Sequence, residues 1–145
     1  MIGYNIHEFT VLKALKAYLE ENLEAKLQVF RGDDFNKIAY PCIFCAPLEC
    51  VEPTDLDGTA SMIASVRVGI VTDQGTSIEK HEEYTAQLLD LIFNDGLVAA
   101  LNNKLVDGLI VSKVWRPRRT TALDSDIGTR TTSQQIDLLC SMNAT

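Results

Sequence analysis

Three of the four cysteines in this chain fall in "YPCIFCAPLEC", residues 40–50. Cys42 and Cys45 have the C-x-x-C spacing shared by zinc knuckles and dithiol redox sites. A zinc knuckle needs both sulfurs on one side of a tight turn, and a second pair of ligands. Pro41 and Pro47 deny residues 38–50 a helical interior, so the segment reads as extended, an edge or bent strand. Positions i and i+3 of a strand point to opposite faces. If residues 42–46 are extended, Cys42 and Cys45 cannot share one ion. The only histidines, His7 and His81, lie on segments that read as helix. The cysteines are therefore expected to be small buried hydrophobes, binding no metal and forming no bridge.

The remaining chemistry is sparse. His81 sits in the first turn of a helix beside Glu82 and Glu83, and no G-x-S-x-G or other nucleophile motif accompanies it; a surface histidine is the expectation. "TDLDG", 54–58, has part of a calcium loop. With Gly58 at the sixth position, however, the first and twelfth fall on Pro53 and Ala64, which cannot serve as ligands. Asp33-Asp34 reads as a solvated turn. No phosphate-cradling G-x-x-x-x-G-K or G-x-G-x-x-G occurs. The chain is not expected to be an enzyme, and no cofactor is expected.

One cluster stands out for binding. "KVWRPRRTT" puts Lys113, Arg116, Arg118 and Arg119, four of thirteen basic residues, within seven positions around Trp115. Trp and Arg are enriched at interface hot spots. The chain as a whole carries a net charge of -7. It therefore lacks the basic excess of a nucleic-acid binder, but it offers acidic surface to an arginine cluster on a second copy.

The 145 residues suit one domain, 1–145, with a sizeable core, and 46% hydrophobic and 23% charged residues fit a globular composition. The opening "MIGYNIHEFT" lacks a basic segment followed by an apolar core, so no secretory signal is expected. No apolar run approaches the ~20 residues that cross a bilayer. Residues 5–25 read as a helix capped at Asn5 with Glu8 completing a capping box, and Ile6, Phe9, Leu12, Leu15, Leu19 and Leu23 fall on one face. "LQVFR", 27–31, reads as a strand, as does 38–50. A turn-rich loop, 51–60, precedes the clearest strand, 61–73, where Met62, Ala64, Val66, Val68 and Ile70 alternate with more polar residues. A second helix opens at Thr76 with Glu79 as its capping partner, carries Ile78, Thr85, Leu88, Leu89, Ile92 and Phe93, and stops at Asn94-Asp95-Gly96. "LVAALNNK" adds a short helical turn. Strands follow at 108–115 and 132–142. Between them lies "RPRRTTALDSDIGTRT", a polar connection long enough to be functional. The layout is α+β, a mostly antiparallel sheet packed by two helices, with a long hairpin arm near the C-terminus.

This order of elements resembles the tail-terminator, or tail-completion, family of tailed bacteriophages. The resemblance runs through an opening amphipathic helix, the strand with Tyr40-Pro41 in "AYPCIFCAPLE", the long alternating strand 61–73 ending near "TDQGTS", the helix 77–94, and "GLIVSKVWRPRRTTALDSD" before a final strand. It implies a structural virion protein of the tail or neck, made in the host cytoplasm. Such a protein forms a ring, typically a hexamer, that caps the tail tube and meets the head-tail connector or neck proteins. Genome DNA would pass through its lumen without sequence-specific binding, and no membrane is involved. The residues proposed for its interfaces are Trp115, Arg116, Arg118, Arg119, Asp124 and Asp126. Two alternatives stay open: another neck protein, such as a head-closure or adaptor protein, and a small cytosolic ligand-binding domain or enzyme built around Cys42, Cys45, Cys50 and His81.

Overall fold

The structure is a computed structural model that describes residues 7–31, 39–51, 61–105 and 108–142. Five strands form one sheet in the order β1-β2-β3-β5-β4. They are β1 (Gln28–Arg31), β2 (Cys42–Val51), β3 (Ser61–Thr72), β4 (Leu109–Asp124) and β5 (Thr129–Met142). Only β1 and β2 run parallel; the other neighbours are antiparallel. Helices α1 (His7–Asn22), α2 (Ile78–Ile92) and α3 (Leu97–Lys104) complete the described elements, giving the α+β class expected from the pattern.

Hydrophobic periodicity places α1. Leu12, Leu15 and Leu19 are fully buried, with Val11 and Tyr18 beside them, and the Tyr18 hydroxyl donates to the carbonyl of Leu91, tying α1 to α2. The expected cap, Asn5, lies outside the described residues. On β3 the core-facing set alternates as expected, although Ser65 and Gly69 on the other face are buried too. Ala64, Val66, Val68 and Ile70 have no exposed surface, while Arg67 between them is exposed. With two strands on either side, β3 is the centre of the sheet.

Four expectations change. First, β2 is not an edge strand, because β1 pairs with its outer side. It is bent, as its prolines require: Pro41 precedes the strand, and Pro47 adjoins a register shift before Glu49, so neither interrupts a regular ladder. Second, α2 begins one residue later than the capping-box reading. Ser77 is its cap, and its hydroxyl accepts from the Lys80 amide at 3.1 Å. Third, α3 is a full eight-residue helix that buries Leu97 and Leu101. Its Asn102 side chain donates to the Val111 carbonyl and accepts from the Val111 amide, at 2.9 and 2.8 Å. That pair of bonds covers part of the β4 edge.

The fourth change concerns "RPRRTTALDSDIGTRT". The segment is not unstructured but forms the distal half of the β4–β5 hairpin, with pairing continuous from Arg118↔Gln135 to Asp124↔Thr129. A four-residue turn, 125–128, closes it. The Gly128 amide donates to the Asp124 carbonyl at 2.8 Å, and Gly128 adopts φ 71°, a conformation that disfavours residues with a Cβ. β3 supports the other side of β5 as far as Thr72↔Arg130. Pro117 does interrupt pairing, in the register shift between Trp115 and Arg118, yet the ladder resumes immediately.

Candidate functional site

The cysteines sort by strand geometry. Cys45 joins Ile43 in the core beneath the helices. Cys42 alternates with it and shares the opposite face with Phe44, whose ring lies over Gly69. A Cβ at residue 69 would meet Phe44 Cε1 at 2.5 Å and Ser133 Cβ at 2.9 Å, so the ring needs a glycine beneath it. The register shift after Pro47 returns Cys50 to the core side, where its Sγ lies 3.3 Å from Met62 Sδ. Burial pushes the thiol pKa of Cys42 up to about 11 and those of Cys45 and Cys140 up to about 12. Thiols held protonated in this way are poor nucleophiles and poor metal ligands. Among the described residues, no three His, Cys, Asp or Glu side chains are grouped to hold a metal ion.

His81 departs from the surface reading. It is only 3% exposed, set between the ends of β3 and β5. Its Nδ1 is hydrogen-bonded to Thr72 Oγ1 at 2.7 Å and its Nε2 to Thr132 Oγ1 at 2.9 Å. Thr132 Oγ1 continues the chain to Thr121 Oγ1 at 3.3 Å. With both ring nitrogens engaged by threonine hydroxyls inside the fold, His81 joins helix α2 to the hairpin and is closed off from solvent. Its flanking glutamates mark the solvent side of the helix; the sequence signal for burial is its four- and seven-residue spacing from Thr85 and Leu88.

Burial lowers the His81 pKa below the ordinary value of 6.5, Arg130 adds to this, and Glu82 opposes it. The unfolded chain therefore takes up the proton first. Stability from this residue is fully present above about pH 6.5 and is lost as the pH falls toward the folded-state pKa. A melting series from pH 7.5 down to about pH 5.5 should show a decline that the His81→Gln variant lacks. Parallel pH profiles for the two proteins would contradict the buried, neutral assignment.

The hairpin separates the six candidate interface residues by face. Cross-strand partners share a face, and Ile136, Leu138 and Cys140 define the helix-covered side of β5. Arg119 pairs with Gln134 on that side, and Arg116 turns the same way within the register shift. Both guanidinium groups sit over the Phe93 ring, at 5.1 Å for Arg116 and 5.6 Å for Arg119. Arg116 Nε also donates to the Ile92 carbonyl at 2.8 Å, which satisfies the end of α2. Trp115 and Arg118 pair with Asp137 and Gln135 and so face the opposite, helix-free side. There Lys113 Nζ lies 5.0 Å from the Trp115 ring. Asp124 and Asp126 are at the tip. Asp124 Oδ1 accepts from the amides of Asp126 and Ile127 at 3.1 and 3.4 Å and so shapes the turn.

Three apolar residues that the sequence reading missed belong with this group. Leu123 is 70% exposed, Ile127 66% and Tyr40 38%. Tyr40 and Ile127 line an open groove of about 640 Å³ with Val71, Thr131 and both tip aspartates; Leu123 borders it but pairs with Arg130 on the helix-covered side. The available signal is that Leu123 and Ile127 are the large aliphatic residues in an otherwise polar stretch.

The fold class is therefore a mixed five-stranded sheet with its core under three helices and a long, partly uncovered hairpin. No family model matches the chain, and no curated protein matches it. Among solved structures, the chain is similar to one described as "Virion of native gene transfer agent (GTA) particle". That likeness has a TM-score of 0.67 and 14% identity, and covers 96% of this chain and 99% of the other. A second solved chain is 18% identical over 95% of this chain and 96% of its own, at a TM-score of 0.49. At these identities the first likeness establishes a shared fold.

Proposed function

We propose that the chain is a structural virion protein of a phage-like particle, without catalytic activity. In the finer reading it assembles into a ring, hexameric by its family resemblance, that caps the tail tube and joins the tail to the head connector or neck proteins. The observation that carries the reading is the end-to-end likeness to a chain of a gene transfer agent virion, at 96% and 99% coverage. A match of whole chain to whole chain is what a shared assembly unit would produce. The chemistry described above agrees with it. The thiols of Cys42, Cys45 and Cys140 are buried and held protonated, the one described histidine with assigned contacts is engaged on both nitrogens, and the distinctive surface is a hairpin bearing aromatic, basic, acidic and aliphatic groups.

In this reading the six hairpin residues divide their work. Arg116 and Arg119 hold the hairpin against Phe93 and α2, while Trp115, Arg118, Asp124 and Asp126 face partners. The lumen carries genome DNA with no sequence-specific contact, which the net charge of -7 favours by repelling phosphate. Sedimentation of the purified protein tests the reading. A concentration-dependent ring mass, near six protomers, is expected, together with binding to tail tubes made without the protein. A chain that stays monomeric at every concentration and leaves such tubes unbound would refute it.

A further inference from the structure

The side of the sheet away from the helices carries two unlike patches. One is Trp115 flanked by Lys113 and Arg118, all paired with residues of the outer face, Asp137, Leu139 and Gln135. Trp115 is 37% exposed. The other is the groove of about 640 Å³ at the hairpin tip, with a floor of Tyr40, Val71 and Ile127 and a rim that includes Asp124 and Asp126. The first patch is an aromatic plug between two cations. The second is an apolar slot edged by two carboxylates. They cannot meet within one chain: Asp137 and Thr131, their neighbours on β5, are six residues apart in a rigid strand, about 20 Å.

From this complementarity we infer that the Trp115 patch of one copy docks in the tip groove of a second copy of this chain. The inference rests on the ring reading and supplies its repeating contact. Trp115 enters the slot between Tyr40, Val71 and Ile127, and Arg118 and Lys113 meet the acidic rim. An aromatic anchor in an apolar pocket with a charged surround is the usual anatomy of an interface hot spot.

The obvious alternative, strand addition along β4, is blocked by the strand itself. Its edge carries Pro117, two register shifts and several cations, and Asn102 already bonds both backbone groups of Val111. Edges of this kind resist pairing. A reciprocal two-fold stacking of the same faces is also disfavoured. Arg67, exposed and paired with Gln135, lies on the rows between the patches and would approach its own counterpart. The contact therefore joins unlike patches head to tail. Each added copy leaves one plug and one slot open, and such a contact closes into a ring when its rotation returns to the first copy, as the ring reading requires.

A charge-exchange experiment tests this. Asp126 is used rather than Asp124, because Asp124 shapes the turn. Arg118→Glu and Asp126→Arg, each with wild-type circular dichroism and melting, should each weaken assembly at least tenfold, since like charges then face each other. Mixed in equal amounts, the two variants should regain ring mass. The introduced carboxylate of one variant then meets the introduced guanidinium of the other, and the remaining junctions are wild type. The double variant in a single chain should assemble alone. If both single variants form rings at wild-type concentrations, the docking is wrong and the ring reading stands. A folded mixture that fails to recover, or that stops at a dimer, also overturns the head-to-tail contact. A wild-type chain that never leaves the monomer overturns both.

Discussion

Val66→Asp is expected to leave no folded protein at room temperature. Val66 has no exposed surface and lies midway along the central strand, paired with Pro47 on β2 and Ile136 on β5. Both α1 and α2 pack on β3, so the new carboxylate would be closed in from above and from both sides. Among the described residues, no lysine or arginine belongs to the buried core, so the carboxylate gains neither a cationic partner nor water. Holding the group neutral or charged in that position costs several kcal/mol, a large part of the roughly 5–15 kcal/mol that typically holds a domain together. The neighbouring substitution Arg67→Asp is the control. It is on the exposed face, and should change stability by about 0.5 kcal/mol or less. Urea titration of the two variants reads the outcome directly. A cooperative transition for Val66→Asp at the wild-type midpoint would mean that the facing of β3 is inverted.

The same alternation explains why most of the architecture is legible without coordinates. A strand writes its core-facing side as period two, and β3 does so with Met62, Ala64, Val66, Val68 and Ile70. A helix writes its buried side as Leu12, Leu15 and Leu19. The opposed facing of Cys42 and Cys45 follows from the same rule and needs only the assumption that the segment is extended. What is not legible has physical causes. The parallel pairing of β1 with β2 is a long-range contact that no local pattern encodes, so β2 reads as an edge. The distal hairpin is polar on both sides, because one face meets solvent and the other meets threonine and histidine rather than hydrocarbon. Its residues therefore lack the apolar alternation that marks a half-buried strand, although Thr120, Thr121, Thr131 and Thr132 are good strand formers. His81 is hidden in the same way. A buried imidazole is stable only because Thr72 and Thr132 bond both nitrogens, and those partners are 9 and 51 residues away in sequence. Of the candidate site, the composition shows the basic and aromatic half. The receiving half, built from Tyr40, Val71 and Ile127, comes from three separate segments and exists only once the sheet is assembled.

Removing the aliphatic side chain of the slot should weaken assembly while leaving the monomer intact. Ile127 is 66% exposed in the single chain, so its side chain does little for the fold. Ile127→Ser places a small polar residue in the turn. The Asp124 carboxylate, which accepts from the amides of residues 126 and 127, is untouched. Melting of the variant should therefore stay within about 0.5 kcal/mol of wild type. In the docked state the Ile127 side chain would be covered by Trp115 of the neighbour. Fully burying an aliphatic side chain contributes about 1.5–3 kcal/mol. Covering roughly half of it therefore gives about 0.75–1.5 kcal/mol per contact, a weakening of roughly 4- to 12-fold. Every protomer of a ring takes part in two such contacts, so the loss compounds and rings should need markedly higher concentrations than the wild type. Leu123→Thr is the control: Leu123 pairs with Arg130 on the helix-covered face, and its replacement should leave ring yield unchanged. The charge-exchange pair provides the cross-check. Adding Ile127→Ser to both partners should lower the recovery of the mixture, because charge complementarity alone does not fill the slot. Sedimentation and tail-joining yield measure the result. Wild-type ring yield from Ile127→Ser would show that the tip stays in solvent and that the assembly surface lies on another part of the sheet.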